Sequence, residues 1–253
     1  MINIKTPREV ELMRKAGKIV YETHKLLEKH IKKGITTQEL NDIAERFILE
    51  NNAKPSFKGF EGYPKAICTS VNEQVVHGIP GKYKLKEGDI ISIDIGAEYQ
   101  GYHGDSAWSY KVGKVSSDKE QLLINTKKVL YDSLKIIKPG IKLNDISSEI
   151  EKNAYKYKLG IVKELVGHGI GNNMHEDPDI PNYSIKNNGP TIKEGMTLAI
   201  EPMLVLGSPK IVLEEDGWTI ATLDNSPAAH FEHTILVTID GYEILTGAWN
   251  NDK

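Results

Sequence analysis

Four acidic side chains stand at the ends of short apolar runs, where a carboxylate is either buried or bound to a cation. Asp94 follows alternating isoleucines, and Asp105 comes eleven residues later, after a turn-rich stretch. Glu201 ends an apolar run and precedes a proline, and Glu232 begins another. Because burying an anion without a partner costs several kcal/mol, four such acids require compensating positive charge.

Antiparallel strand pairing is predicted to bring these acids together. Alternation puts Asp94 on the strand face away from its isoleucines. A hairpin would set Asp94 and Asp105 opposite each other, ~5 Å apart, and a second strand pair would set Glu201 across from Glu232. No lysine or arginine interrupts the runs that carry the four acids, whose charge sums to −4. Two divalent cations would balance that charge, so the sequence predicts a dinuclear metal site.

His168, in the glycine-rich stretch 167–171, adds an imidazole ligand to this set. One nitrogen with several oxygens suits Mn²⁺, Fe²⁺ or Co²⁺. The single cysteine, Cys68, excludes intrachain disulfides and a site built from several thiolates. The glycines alone are a weak sign of phosphate binding, because no strand-turn-helix pattern surrounds them.

Two further histidines, His77 and His175, lie close to prolines and turns. A lone histidine is more often structural than catalytic, but His77 shares a His-Gly-Ile motif with His168 and is predicted to be its counterpart. Near a metal-bound hydroxide, such side chains would donate hydrogen bonds to a developing oxyanion and to the leaving nitrogen. His230 and His233 flank the fourth acid and are predicted to orient it.

Helices and strands must position these side chains. Capping sequences and periodic apolar residues predict four helices, beginning at Thr6, Thr36, Ser117 and about Asn144. Alternating apolar runs bounded by Gly, Asn or Asp predict strands, which include 90–95, 108–112, 197–200 and 235–239. The predicted class is mixed, α/β or α+β.

The chain also repeats itself. Residues 85–94 return as 192–201, at an offset of 107, with an acid at the end of each copy. The His-Gly-Ile motif returns at an offset of 91. The difference predicts about 16 extra residues in the second half, within 177–191.

These repeats predict one catalytic domain over residues 1–253 with internal pseudo-twofold symmetry. Each half would be a helix-helix-strand-strand unit, the first at about 6–112 and the second at about 117–245. A site that takes acids and histidines from both halves would lie at their junction.

Composition limits the partners and the location. The 253 residues contain 32 Lys plus Arg and 35 Asp plus Glu, a net charge of −3, so no nucleic acid is expected as a specific partner. No run approaches the ~18 apolar residues of a membrane span, and the beginning lacks the pattern of a signal peptide. We therefore expect no membrane partner and a cytoplasmic location. We also expect the protein to be a monomer.

Together these motifs resemble the type I methionine aminopeptidases of bacterial style, which have the pita-bread fold. The resemblance covers nearly the whole chain, from Thr-Pro-Arg-Glu at 6–9 to Glu-His-Thr at 232–234. It implies the metal ligands already reached from charge and spacing: Asp94, Asp105, His168, Glu201 and Glu232. It also implies that a hydroxide held by two divalent ions cleaves the first peptide bond. The substrates would be the N-terminal peptides of newly made proteins, which the enzyme would encounter at the ribosome. Their first residue would be methionine and their second residue would be small.

The resemblance also suggests substrate contacts. It assigns His77 and His175 to substrate contact during cleavage. Tyr63, Cys68 and Trp218 match residues of the family's methionine-binding pocket. Phe57 and Phe60 fall close to these in the sequence, and Phe60 is included among the predicted pocket residues. Glu201, at the end of its strand, would both bind metal and take a proton from the attacking water.

Three departures from the family pattern concern substrate details. Met174 stands where an aromatic residue is usual, Asn172 and Asn173 replace a basic residue, and His230 replaces a glutamine. Two alternatives remain: a proline-specific dipeptidase or aminopeptidase of the same fold, which usually carries a large extra N-terminal domain, and an inert pita-bread binding module.

Overall fold

The computed structural model describes residues 2–248; Met1 and residues 249–253, the two ends of the predicted domain, lie outside it. The helices within that range are α1 (Pro7–Glu28), α2 (Thr37–Glu50), α3 (Ser117–Leu134) and α4 (Leu143–Lys156), with a short 3₁₀ helix at Phe60–Gly62. No helix in this range is both long and apolar enough to cross a membrane.

Within residues 2–248 the strands form four sheets, and all but two ten-residue strands are short. In chain order they are β1 (Lys54–Pro55), β2 (Ile67–Val71), β3 (Gln74–Val76), β4 (Ile90–Tyr99), β5 (Tyr102–Lys111), β6 (Gly160–Ile161), β7 (Val166–Gly169), β8 (Glu176–Pro181), β9 (Thr197–Ile200), β10 (Met203–Val205), β11 (Ile211–Leu213), β12 (Ile220–Thr222), β13 (Ala228–His230), β14 (His233–Val237) and β15 (Tyr242–Ile244). In the first sheet β4 pairs with β1, β2 and β5; the others run β15-β14-β9-β7-β8, β13-β10-β6 and β11-β12-β3.

The helices begin close to the predicted capping residues. The hydroxyls of Thr6 and Thr36 each accept the backbone N–H three residues later, and a glutamate at that position closes the capping box. For the third helix the predicted capping residue, Ser117, is one residue late. Its cap is Ser116, whose extended backbone lets its hydroxyl accept the N–H of Lys119 at 3.4 Å, so Ser117 is the first helical residue.

Each half covers its central strand with two helices. In the first half, buried residues of α1 and α2 such as Leu27 and Leu40 pack on the isoleucines of β4. In the second, Leu130 of α3 and Ile146 of α4 pack on β9 and β14. Full burial of one such side chain contributes about 1.5–3 kcal/mol, so these contacts hold helices to sheet. The mixed class and the two helix-covered halves are confirmed.

The hairpin of β4 and β5 carries two of the predicted ligands, but they do not face each other. Asp94 pairs with Ala107, and Asp105 pairs with Gly96. The two-residue turn ending at Gly101, which has a φ of 86°, sets this register. The two carboxylates are therefore diagonal neighbours on one face, and the prediction of a directly opposed pair was wrong.

The His-Gly-Ile repeat does not mark structurally equivalent histidines. Ser70 pairs with Ser92 in the first half, and His168 pairs with Ala199 in the second. Since Ser92 and Ala199 differ by the repeat offset of 107, the counterpart of His168 is Ser70 and not His77. The paired residues are 22 apart in the first half and 31 in the second, so the extra length is nine residues instead of about 16.

Candidate active site

One cavity of about 290 Å³ collects every predicted site residue. Strands of both halves and the loops beside them form its walls. The predicted residues that line it are Phe60, Tyr63, Cys68, His77, Asp94, Asp105, His168, His175, Glu201, Trp218 and Glu232. Phe57 and the buried Met174 line it as well.

The second-half acids flank the β9–β14 pairing. That pairing sets His233 opposite Ile200. Continued by one residue, the same register sets Glu232 opposite Glu201, as predicted. Both carboxylates therefore enter the cavity from a point where the two strands end.

His168, in β7, has the geometry of a metal ligand. Its Nδ1 lies 2.8 Å from the carbonyl oxygen of Gly169, which can only accept, so Nδ1 carries the proton. Its Nε2 lies 3.6 Å from Glu201 Oε1 and 3.9 Å from Asp105 Oδ2. Burial lowers the pKa of His168 to about 4, so the ring is neutral and Nε2 offers a lone pair.

Among residues 2–248, the ion-pair partners of the four carboxyl groups are histidines, and no lysine or arginine pairs with them. Burial raises the pKa of Asp94 to about 6 and that of Glu201 to about 8. Burial first, and then repulsion among the acids, raises the pKa of Asp105 and of Glu232 well above the usual values. Both effects disfavour four anions at one place unless cations join them.

Orphaned oxygens show that these acids fit a metal. Within residues 2–248, Asp94 Oδ1, Asp105 Oδ1 and Glu232 Oε1 are buried and have no hydrogen-bond partner. Asp105, His168 and Glu232 offer ligand atoms that all lie within 4.8 Å of one another. Carboxylate oxygens with one imidazole nitrogen are a donor set for divalent ions, which would satisfy the unpaired oxygens.

An aromatic pocket adjoins the acids. Tyr63 is buried, with its hydroxyl 3.0 Å from the carbonyl oxygen of Gly78, and the ring of Trp218 meets it edge-on at 5.2 Å. Cys68 pairs with Asp94 across β2 and β4. Burial raises the pKa of the Cys68 thiol, so it stays protonated and forms an apolar wall. This lining suits an unbranched apolar side chain.

His77 and His175, the two histidines predicted to contact substrate, line the same cavity as the acids but are not among the five candidate metal ligands. His77 follows β3 in a left-handed conformation, with a φ of 60°. The ring of His175 meets His168 edge-on at 4.4 Å and Phe60 at 5.3 Å. Burial lowers the pKa of both His77 and His175, so both rings are neutral near pH 7 and able to donate one hydrogen bond.

The prediction for the histidines that flank Glu232 was wrong. His230 Nε2 lies 3.4 Å from Glu201 Oε2, so His230 stands next to the other second-half acid. His233 faces away from the cavity, and its ring nitrogens lie 2.9 Å from the Tyr131 hydroxyl and 3.0 Å from a threonine hydroxyl. Adjacent residues of a strand point to opposite faces, so His233, which follows Glu232 directly, points away from the cavity that Glu232 lines.

Sequence reasoning missed several lining residues. Apolar residues at or next to the ends of strands resembled ordinary core. The alternation that places Glu201 in the cavity nevertheless puts the residue two positions later on the same side. The missed lining residues are Val76, Leu165, Val166 and Met203, with the acids Glu61 and Glu164. Of these, only Met203 and Val166, each two positions from a predicted ligand, had a signal in the sequence.

Known proteins are similar to this chain in sequence and in fold. The model of metallopeptidase family M24 matches residues 11–239. Methionine aminopeptidase 1 of Bacillus subtilis is 54% identical over 246 residues, which cover 97% of this chain and 99% of that protein. A crystal structure of methionine aminopeptidase from Thermotoga maritima is 47% identical, with a TM-score of 0.96 over 98% of this chain and 100% of the other.

Proline-specific enzymes share the fold. Prolidase from Pyrococcus furiosus matches 98% of this chain with a TM-score of 0.78, but only 66% of its own length is covered and the identity is 24%. That likeness shows the fold alone. Since methionine aminopeptidases and prolidases both have the pita-bread fold, the predicted fold is confirmed, and the more similar relatives favour methionine aminopeptidase over the proline-specific alternative.

Proposed function

Since the chain belongs to metallopeptidase family M24 and, within it, to the bacterial-type methionine aminopeptidases, we propose that its five-residue cluster holds two divalent ions for removal of an N-terminal methionine. The enzyme is a metal-dependent hydrolase. The convergence of Asp94, Asp105, His168, Glu201 and Glu232 on one cavity supports this assignment. Two dications would neutralise four carboxylates, and Mn²⁺, Fe²⁺ or Co²⁺ suits their mixture with imidazole. When bound, such ions lower the pKa of a water molecule and polarise the scissile carbonyl.

The protein's own groups then handle protons and charge. Glu201, at the end of its strand, accepts the proton of the attacking water. His77 and His175 donate hydrogen bonds, one to the oxyanion and one toward the leaving nitrogen. Their neutral state near pH 7 supports these roles, because a neutral imidazole still carries one N–H donor.

The aromatic pocket selects methionine at the first position. Phe60, Tyr63, Cys68 and Trp218 would surround a thioether through dispersion and sulfur–aromatic contacts. A β-branched side chain would collide near its Cα, so methionine is cleaved faster than valine or isoleucine. The second residue is small, because the backbone there must reach both histidines. The flexible Met174 admits somewhat bulkier first residues than an aromatic ring would.

The setting follows from the substrate. N-terminal methionine arises on newly made proteins at the ribosome, so the enzyme acts in the cytoplasm. It acts there as a monomer, with residues 1–253 forming one catalytic domain whose site is built by a single chain.

Steady-state cleavage of Met-Ala-Ser, compared with Met-Pro and Ala-Pro peptides in added Mn²⁺ or Co²⁺, tests this function. Met-Ala-Ser should be the best substrate, and a strong chelator should abolish its turnover while metal analysis of active protein finds two ions per chain. Preferred cleavage of the proline peptides would support the proline-specific alternative. Full turnover in chelator would disprove the metal mechanism. If the metal-loaded protein cleaved none of the peptides, the inert binding module would be the remaining alternative.

A further inference from the structure

A buried ion pair joins the segment before α1 to the loop that carries His175. Lys5 Nζ lies 2.7 Å from Glu176 Oε2, and each side chain is only 5% exposed. Glu176 follows His175 directly and begins β8. A pair this well buried is costly to break, since either partner alone would be an uncompensated charge in the interior. The ion pair therefore lies directly beside a residue that lines the cavity.

Further hydrogen bonds make the pair part of the loop. Glu176 Oε1 accepts the backbone N–H of Asn173 at 3.2 Å, and Oε2 accepts the side-chain amide of Asn3 at 3.4 Å. Burial alone would raise the pKa of Glu176, but the hydrogen bond from Lys5 and the other donors bring it below its usual value. The carboxylate therefore stays ionised and closes the loop over residues 173–176.

Gly171, the third glycine of the Gly-x-Gly-x-Gly stretch, leaves room for this pair. A Cβ built at Gly171 would overlap the Cε of Lys5 and the Oε1 of Glu176. The backbone conformation of Gly171 is open to other residues, so a Cβ here is opposed only by the ends of these two side chains, which would have to shift. The third glycine of the motif is thus explained by the ion pair against its backbone, whereas the first two, Gly167 and Gly169, lie against the carbonyl oxygens of Ala199 and Asp177.

Lys5 is itself fixed relative to the strand that carries Glu201. Its backbone N–H donates to the carbonyl oxygen of Gly195 at 2.8 Å. Gly195 lies just before β9, at whose end Glu201 stands. The ion pair thus links the strand that leads to Glu201 with the loop that carries His175.

We propose that the Lys5–Glu176 ion pair, seated against Gly171, holds His175 at the substrate and makes Lys5 and Glu176 positioning residues for methionine removal. This rests on the substrate contact proposed above for His175. Neither charged group lines the cavity that holds the candidate ligands, so both act through the loop. A small displacement of a positioned donor costs turnover more than it costs binding.

Three variants of the metal-loaded enzyme test the pair: Lys5→Met, Glu176→Gln and Gly171→Ala. Each should lower kcat by about tenfold to 100-fold with KM changed less than about twofold, and metal content should equal that of the parent. Hydrogen exchange should speed up at the backbone amides of residues 172–175 and stay unchanged elsewhere. Lys5→Arg, which keeps the charge, should retain more turnover than Lys5→Met. If Lys5→Met does not fold, Glu176→Gln, which preserves the shape, gives the measurement.

A double-mutant cycle with His175→Ala separates positioning from general destabilisation. In the His175→Ala background, Lys5→Met should lower kcat by less than about twofold, because the group that it positions is already gone. Arg14→Met is the matched control. Arg14 pairs with Glu243 at 2.5 Å between α1 and β15, away from the cavity. Its loss should cost stability and leave kcat unchanged in both backgrounds.

The outcomes distinguish this inference from the function on which it rests. An equal loss of kcat from Lys5→Met in both backgrounds would show that the pair acts on something other than His175. Unchanged kcat in folded Lys5→Met and Glu176→Gln would show that the pair does not affect turnover. Either result overturns the positioning role while the role of His175 stands. Full turnover in His175→Ala alone would overturn both.

Discussion

The two halves of the molecule build the same antiparallel strand pair, continuous in the first half and interrupted in the second. Strands β4 and β5 pair at ten consecutive positions across a two-residue turn. In the second half, β9 pairs with β14 and β10 with β13 in a single register, but the ladder is broken at Glu201 and Pro202. Proline has no N–H to donate, so a ladder cannot continue through it unchanged.

The interruption makes the second half depend on its surroundings. The carbonyl oxygen of Glu201 accepts the side-chain amide of Asn182 at 3.1 Å. The backbone N–H of Glu232 donates across the junction to Ala107 of the first half, at 2.8 Å. The hydroxyl of Ser106 donates to the carbonyl oxygen of Glu232 at 2.5 Å. The broken strands thus regain backbone partners from other elements, and both glutamates enter the cavity.

Equivalent positions in the two halves carry different polar side chains. Asp94 corresponds to Glu201 at the offset of 107. Asp105 pairs with Gly96, whose counterpart at the same offset is Met203, and Met203 pairs with His230. Where the first half offers two aspartates, the second offers a glutamate and a histidine. A nearly symmetric fold therefore supports an asymmetric site, in which the proposed proton acceptor belongs to the second half only.

The largest expected effect compares Glu201→Gln with Asp94→Asn. Glu201→Gln keeps the shape but removes the proton acceptor, so kcat should fall at least ~100-fold with the fold retained. For Asp94→Asn, kcat should fall only as far as metal is lost, because its role is coordination alone, whereas Glu201→Gln should lose more turnover than its loss of metal explains. Measurement of kcat beside metal content decides between them. Near-normal turnover in Glu201→Gln would contradict the asymmetry.

Next in size is the comparison of His77→Ala with His168→Ala, the two histidines that share a motif but not a structural position. His77→Ala should lower kcat by about 100-fold with metal content unchanged, because it removes only a hydrogen-bond donor to the substrate. His168→Ala should reduce metal content. Loss of metal from purified His77→Ala would show that the two residues are functionally equivalent after all.

Pro202→Ala tests whether the interrupted ladder aims Glu201. Alanine supplies an N–H that favours a continuous strand, so we expect kcat to fall about threefold to tenfold with metal retained. Stability should drop by about 0.5–1 kcal/mol, since the unfolded chain gains freedom. Kinetics and urea unfolding of the same preparation measure both. Unchanged kcat would mean that the contacts around Glu201 suffice without the break.

The smallest effect belongs to the turn of the continuous hairpin. Gly101 has a φ of 86° with open space around its Cβ position, so Gly101→Ala should cost about 1 kcal/mol from backbone strain alone. Turnover should stay near the parent value, because ten paired positions still hold the register. Gly81→Ala is the control, since its Cβ position is also open and its φ is not in the left-handed region. Equal destabilisation of both variants in urea would rule out strain at the turn.

Local patterns in the sequence predicted the helix starts at Thr6 and Thr36, the mixed class, and Glu201 and Glu232 at strand ends. The same prediction was wrong for Asp94 and Asp105, which lie inside β4 and β5 because these strands extend beyond the predicted ranges 90–95 and 108–112. These signals act within a few residues: a cap needs the N–H three positions away, and strand alternation needs only the next side chain. The charge of the acids then predicted cations without any knowledge of distance. The resemblance supplied the roles of His77 and His175, whose own surroundings in the sequence are those of ordinary turn residues.

Tertiary structure decided what depends on register and long-range contact. The turn before β5 made Asp94 and Asp105 diagonal neighbours, and the pairing of β7 with β9 made Ser70 the counterpart of His168. Lys5 and Glu176 meet across 171 residues of chain. One residue more or less in a turn changes which side chains face each other, and a contact between distant segments has no local pattern, so both follow only from the packing of the whole chain.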